Sequence, residues 1–288
     1  MFSLEKYTQI LLPRQVKRFG YIVIAYMFID SMQLFSMENN GRGTKAIGMA
    51  NTFVAVSDNC WAIDYNPAGL ANVSAYQCSV FIVPEQFGLQ ELKTSALAAT
   101  IPLSFAALGM QTEKFGFDLY SETEFGIALG KKIDKSISIG LSLKYSRLDI
   151  ARYGSAGNFS LDGGLIVHVL EDSYIGFSVH NVTQSSIGKT DEKIPQVFNL
   201  GACWFPYSHL QVSIEMEKDI RFPTSIKMGI EQIVFAMFAI RAGVANNPDK
   251  YSCGIAAIYS IFEFGYAGYS HPDLGWTHQI ELSLNLDK

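Results

Sequence analysis

Charge is scarce in this sequence. Lys, Arg, Asp and Glu make up 17% of its 288 residues, against about 25% in an average chain. The balance is mildly acidic, 22 basic against 27 acidic residues, so there is no basic footprint for a nucleic-acid partner. Cysteine is sparse: the 4 residues, Cys60, Cys78, Cys203 and Cys253, show no C-x-x-C spacing. That excludes a disulfide-dense scaffold and leaves small apolar fillers as their expected role. The five histidines, 168, 180, 209, 271 and 278, form no H-x-x-x-H pair, so no metal site is expected; His168 and His180 read as polar wall or interface residues. P-loop and Gly-x-Ser-x-Gly patterns are missing as well, and Gly154-Ser155-Ala156-Gly157 reads as a turn. Neither an enzyme nor a cofactor is expected. Past residue 36 no run approaches the roughly 18 apolar residues of a membrane-spanning helix. What the chain does have is apolar and aromatic content, 49% and 13%, too much for a disordered protein.

The first 36 residues differ from the rest. Lys6, Arg14, Lys17 and Arg18 precede an apolar run, Phe19 to Ile29, which Asp30 ends. A basic stretch followed by roughly 7–15 apolar residues is the pattern of an export signal, with cleavage expected near Ser36. An uncleaved N-terminal anchor is the alternative. Either way the remainder is expected outside the cytoplasm, in an aqueous compartment or in a membrane as a β-barrel.

The body alternates with period two. In residues 136–146, Ile137, Ile139, Leu141, Leu143 and Tyr145 fall on one face, and Ser136, Ser138, Gly140, Ser142, Lys144 and Ser146 on the other. Strand side chains alternate faces, so this is a strand with one oily and one polar side. The same holds for 124–129, 211–217, 225–231, 238–244 and 279–286. Strand candidates fall near 44–56, 73–83, 91–101, 103–112, 121–132, 136–149, 158–170, 173–183, 194–205, 209–219, 224–235, 237–246, 250–261, 262–270 and 275–286. The first of them is a candidate for a position inside the barrel, and an even strand number is usual in bacterial single-chain barrels. Charges of both signs lie on the polar face: Glu124, Lys144, Glu215, Glu217, Lys227, Glu231, Arg241, Glu263 and Glu281. Aromatics gather at strand ends, at Phe115, Phe117, Tyr153, Phe159, Trp204, Phe205, Tyr207 and Trp276, as interface girdles do. The expectation is an all-β, antiparallel up-and-down transmembrane barrel of about 14 strands with those charges facing the lumen. A soluble sandwich would also alternate, but it would place many charges outward. Glu215 and Glu217 share one face, a spacing that could serve acid–base chemistry; pairing with Lys144, Lys227 or Arg241 is the plainer reading.

Two stretches carry a resemblance. Residues 43–59, from Gly43-Thr44-Lys45-Ala46-Ile47-Gly48-Met49-Ala50 to Ala55-Val56-Ser57-Asp58, lead into Asn66-Pro67-Ala68-Gly69-Leu70. Near the end, Tyr266 to Tyr269 precede His271-Pro272-Asp273-Leu274-Gly275-Trp276-Thr277-His278. Together they resemble the FadL-like outer-membrane proteins, most closely their PorV/PorQ branch. The resemblance implies residues 1–36 as signal peptide, 37–72 as a segment folded into the lumen, and 73–288 as an outer-membrane barrel. It also implies location in the outer membrane of a diderm bacterium, in contact with outer-membrane lipid. The sequence departs from the pattern at Ala50, where Gly is common, and at its end, Leu286-Asp287-Lys288, where an aromatic residue is usual.

Two roles follow from the resemblance. The main expectation, toward which the short loops lean, is an accessory of type IX-like protein secretion that docks or shuttles exported proteins alongside other secretion components. The other is an uptake channel for long-chain fatty acids or other hydrophobic small molecules. In both, the contact residues are expected at Asp58, Trp61, Ile63, Tyr65, Asn66, Pro67, Gly69 and Leu70.

Overall fold

The computed structural model describes residues 41–186 and 194–286. The expected signal segment, and residues 37–40 of the expected luminal segment, lie outside the described residues.

Fourteen antiparallel strands close into one barrel, each paired with its sequence neighbours and β14 with β1. They are β1 Tyr76–Val83, β2 Thr94–Pro102, β3 Ala107–Phe117, β4 Tyr120–Lys132, β5 Ile137–Ile150, β6 Gly154–Leu170, β7 Ser173–His180, β8 Val197–Tyr207, β9 Leu210–Asp219, β10 Ser225–Val234, β11 Phe238–Ala245, β12 Lys250–Tyr259, β13 Phe262–His271 and β14 Gly275–Leu286. The period-two reading thus locates every strand of the wall. It fails at 44–56, which is no strand. A one-turn helix, α1 Thr44–Gly48, stands there instead, followed by tight turns. Ala50 and Asn51 have φ of 55° and 63°, left-handed backbone that ends a helix and cannot continue a strand. Residues 154–157 are also not a turn: they open β6, and the turn lies at 151–153.

Burial alternates along every strand, inverted relative to a soluble protein. On β5, Ile139, Leu141 and Leu143 are exposed, while Ser138, Ser142, Lys144 and Ser146 are buried. The same inversion puts Val212, Ile214 and Met216 outside and Gln211, Ser213 and Glu215 inside on β9. A barrel with no open edge and an apolar exterior satisfies its backbone internally and meets lipid with its side chains. Trp204, Tyr207, Tyr153, Phe159 and Trp276 are exposed as an interface girdle requires. Phe205 is not part of it: it turns inward and packs beside Tyr174 on the luminal core.

The two rims differ. Connections on the side where β1 starts and β14 ends span two to four residues; on the opposite side they span two to sixteen. Short periplasmic turns and longer external loops are the usual arrangement in outer-membrane barrels.

Candidate functional site in the lumen

Residues 41–75, ahead of β1, fold inside the wall. They comprise α1, a short helix α2 Ala62–Tyr65, and a 3-10 turn Pro67–Asn72. These pieces pack on the inner faces of β4, β5 and β6 through the 3-10 turn and of β11 to β13 through α1.

Local chemistry explains the shape of this segment. Asn66 is extended, φ −156° and ψ 101°, as the residue before proline prefers. Its Oδ1 accepts from Ala68 N at 3.1 Å, capping the turn, while its Nδ2 donates to Val54 O at 2.7 Å and Leu165 O at 3.1 Å. One side chain thereby ties the turn to its own segment and to the wall. Gly69 sits where a Cβ would collide with the Ser57 backbone. Trp61 stacks edge-on against Phe81 of β1 at 5.8 Å, and Phe53 against Tyr65 at 5.2 Å. Trp61, Ile63 and Leu70 are fully buried, so the side chains expected to contact cargo are packed against the wall. The Tyr65 hydroxyl accepts from Arg42 N at 2.8 Å and donates to Arg42 O at 2.9 Å.

The wall makes room for the segment with glycine. Gly130, Gly140 and Gly164 lie directly across from one another on β4, β5 and β6. A Cβ on Gly130 would stand 2.7 Å from Pro67 O, and one on Gly140 would overlap the Pro67 carbonyl itself. Further round, Gly176 and Gly201 face Val54, Gly229 and Gly243 face Met49, and Gly265 faces Thr44.

Charge does the rest. Glu281 accepts from Thr44 N at 2.6 Å, Thr44 Oγ1 at 2.8 Å and Trp61 Nε1 at 2.6 Å. Glu215 accepts from the amides of Phe53 and Val54 at 2.9 and 3.0 Å. Two carboxylates of the wall thus satisfy segment donors that would otherwise be orphaned. Ion pairs complete the join. Arg42 forks onto Glu113 and reaches Asp64 at 3.4 Å and Glu124 at 3.5 Å. Lys144 bridges Asp64 at 2.9 Å and Asp162 at 3.1 Å, and His180 stands 3.2 Å from the same Asp162. Lys45 bridges Asp58 at 2.7 Å and Glu231 at 3.0 Å. Arg241 holds Glu231 at 2.6 Å and Glu263 at 3.0 Å, and Lys227 holds Glu217 at 2.6 Å. Burial would raise the pKa of Asp64, yet Arg42 and Lys144 outweigh it and hold the carboxyl below its ordinary value. For Lys45, burial opposes the charge, but Asp58 and Glu231 prevail and raise its pKa.

The nine wall charges named from the sequence all stand at inward register positions, and each is in this network. Five partners escaped sequence reasoning: Arg42, Lys45, Asp64, Glu113 and Asp162. The first three lie on the luminal segment, where no period marks a face. Glu113 and Asp162 sit at inward positions of β3 and β6, so the alternation rule extended to those strands would have found them. The glycine row was also legible, as glycines recurring on the polar face of successive strands. Glu215 and Glu217 do not face a shared substrate position: Glu215 caps amides and Glu217 pairs with Lys227.

A closed fourteen-strand barrel with a lipid-facing belt and a polar lumen, occupied by residues 41–75, defines a transmembrane barrel of the outer-membrane type. No family model matches the sequence and no curated protein sequence matches it. Solved structures do. The Pseudomonas putida toluene transporter TodX superposes with a TM-score of 0.67 at 11% identity, over 87% of this chain and 100% of that one. The CymD monoaromatic hydrocarbon channel gives 0.66 at 11% identity over 88% and 100%. A Pseudomonas aeruginosa FadL homologue gives 0.59 at 12% identity over 86% and 98%. At these identities the likeness is one of barrel fold alone.

Proposed function

We propose that this protein is a non-enzymatic outer-membrane channel for hydrophobic small molecules. The observation that carries the reading is a closed FadL-like barrel whose lumen holds residues 41–75 of the same chain, joined to the wall by buried ion pairs and capped amides. Such a lumen is not an open aqueous pore, so passage is selective. Two proteins of similar fold are a toluene transporter and a monoaromatic hydrocarbon channel, which supports cargo of that physical type. In this reading residues 41–72 act as a plug, with Asp58, Trp61, Ile63, Tyr65, Asn66, Pro67, Gly69 and Leu70 forming the part that cargo meets or displaces. The test is uptake by cells of an outer-membrane bacterium with and without the protein. Faster entry of labelled toluene or a long-chain alcohol, with unchanged entry of a sugar, is expected. Equal entry of every hydrophobic probe would sink the reading.

The PorV/PorQ reading, an accessory of type IX-like secretion, rests on residues 43–70 and 266–280 alone. Purification in mild detergent separates the two roles, since exported proteins retained at stoichiometric level would favour the accessory.

A further inference from the structure

The lumen network is unbalanced in number and in placement. Asp58, Asp64, Glu113, Glu124, Asp162, Glu215, Glu217, Glu231, Glu263 and Glu281 supply ten carboxylates, against five cations, Arg42, Lys45, Lys144, Lys227 and Arg241. The five cations of the network are at most 14% exposed, and in their bridges with an end more accessible than that, the accessible end is an acid. Lys227 is 8% exposed and its partner Glu217 is 36%. Arg241 is 3% exposed and Glu263 is 24%. Lys45 is 14% exposed and Asp58 is 42%. Glu113 and Glu124 are likewise more exposed than the Arg42 they share. These acids serve both rims: Glu113, Glu124 and Glu217 lie toward the loop side, and Glu263 is the second residue of β13 on the turn side. Further cations stand at the rims, among them Lys250 over the Tyr269 ring at 4.1 Å and Lys132 at the end of β4.

We infer that the lumen excludes anions, so that the cargo is a hydrophobic molecule without negative charge, and that ionised fatty acids are rejected. The inference rests on the hydrophobic-cargo reading and narrows its substrate class. A molecule entering from either rim meets carboxylates whose counter-charges are already committed behind them. At an effective dielectric constant of about 20 and a separation of about 10 Å, one unbalanced carboxylate weakens binding of an anion roughly tenfold. A neutral molecule of the same shape escapes that penalty.

The experiment uses three probes of equal chain length, decanol, decylamine and decanoate. Each is titrated into the folded, detergent-purified protein at about pH 8, where a carboxylic acid is ionised, with binding followed by tryptophan fluorescence. Decanol and decylamine are expected to bind at least about tenfold tighter than decanoate. The double variant Glu217→Gln/Glu263→Gln is expected to narrow the gap, because Lys227 keeps Glu215 and Arg241 keeps Glu231. Heat-modifiable gel mobility checks that this variant is folded, and Glu217→Gln alone serves if it is not. Decanoate binding as tightly as decanol overturns the inference and leaves the channel reading standing. Failure of all three probes to bind overturns both. An unchanged gap in a folded variant removes the charge explanation.

Discussion

At the residue scale, Asp64 concentrates the physics of the lumen. It is fully buried, yet Arg42, Lys144 and Gln111 all reach it, the last at 2.6 Å. Taking one partner from a buried pair costs about 3–5 kcal/mol. For Asp64→Asn the lower end is expected, because Arg42 retains Glu113 and Lys144 retains Asp162. The pH dependence has a definite sign. The folded-state pKa of Asp64 is depressed, so its contribution is complete above the unfolded value of about 3.9 and is lost as pH falls through the folded value. The temperature of the heat-modifiable shift should therefore fall on acidification below about pH 4 more steeply in the wild type than in Asp64→Asn. Parallel pH curves for the two proteins would show that the bridge contributes nothing.

At the scale of elements, the fit between the 3-10 turn and the wall is steric. Pro67–Asn72 sits in a trough cut by Gly130, Gly140 and Gly164. Gly140→Val drives side-chain atoms into the Pro67 carbonyl, an overpacking cost of about 1–3 kcal/mol. Relief requires the turn to move, so residues 41–72 should become protease-sensitive while the barrel itself still resists SDS. Gly163→Val is the control: Gly163 is the outward neighbour of Gly164, and its added Cβ would meet only Leu141 Cδ2 at 3.8 Å. Proteolysis at the same rate in both variants would mean that the glycine row does not seat the turn.

At the scale of the whole molecule, stability depends on matching an oily exterior to lipid. Leu141 lies at the middle of the β5 belt, 65% exposed. Leu141→Arg is expected to destabilise the folded barrel by about 2–4 kcal/mol, the cost of a cation on the lipid face near the bilayer midplane. Denaturant titration in lipid vesicles reads this directly. A variant as stable as the wild type would mean that this face does not meet hydrocarbon. The same scale separates closure from selectivity. The wall is a continuous hydrogen-bonded cylinder, whereas its lumen is filled by about thirty residues that belong to no strand.

The amino-acid pattern alone determined the wall. Period-two alternation, scarce charge and a polar face of small residues specify strands with lipid outside, because each strand repeats the same two-environment problem within some ten residues. The inward charges from Glu124 to Glu281 follow from that same register. Only the tertiary structure decided the fate of residues 41–75. Buried along most of their length, they show no period, and their helices are shorter than propensity alone would support. Trp61 and Asn66 owe their roles to partners more than 90 positions away, Glu281 and Leu165. Arg42, Lys45 and Asp64 become bridges only once the wall has closed around them. Local physics builds the cylinder, and the partners of what lies within it are set by contacts made across the closed barrel.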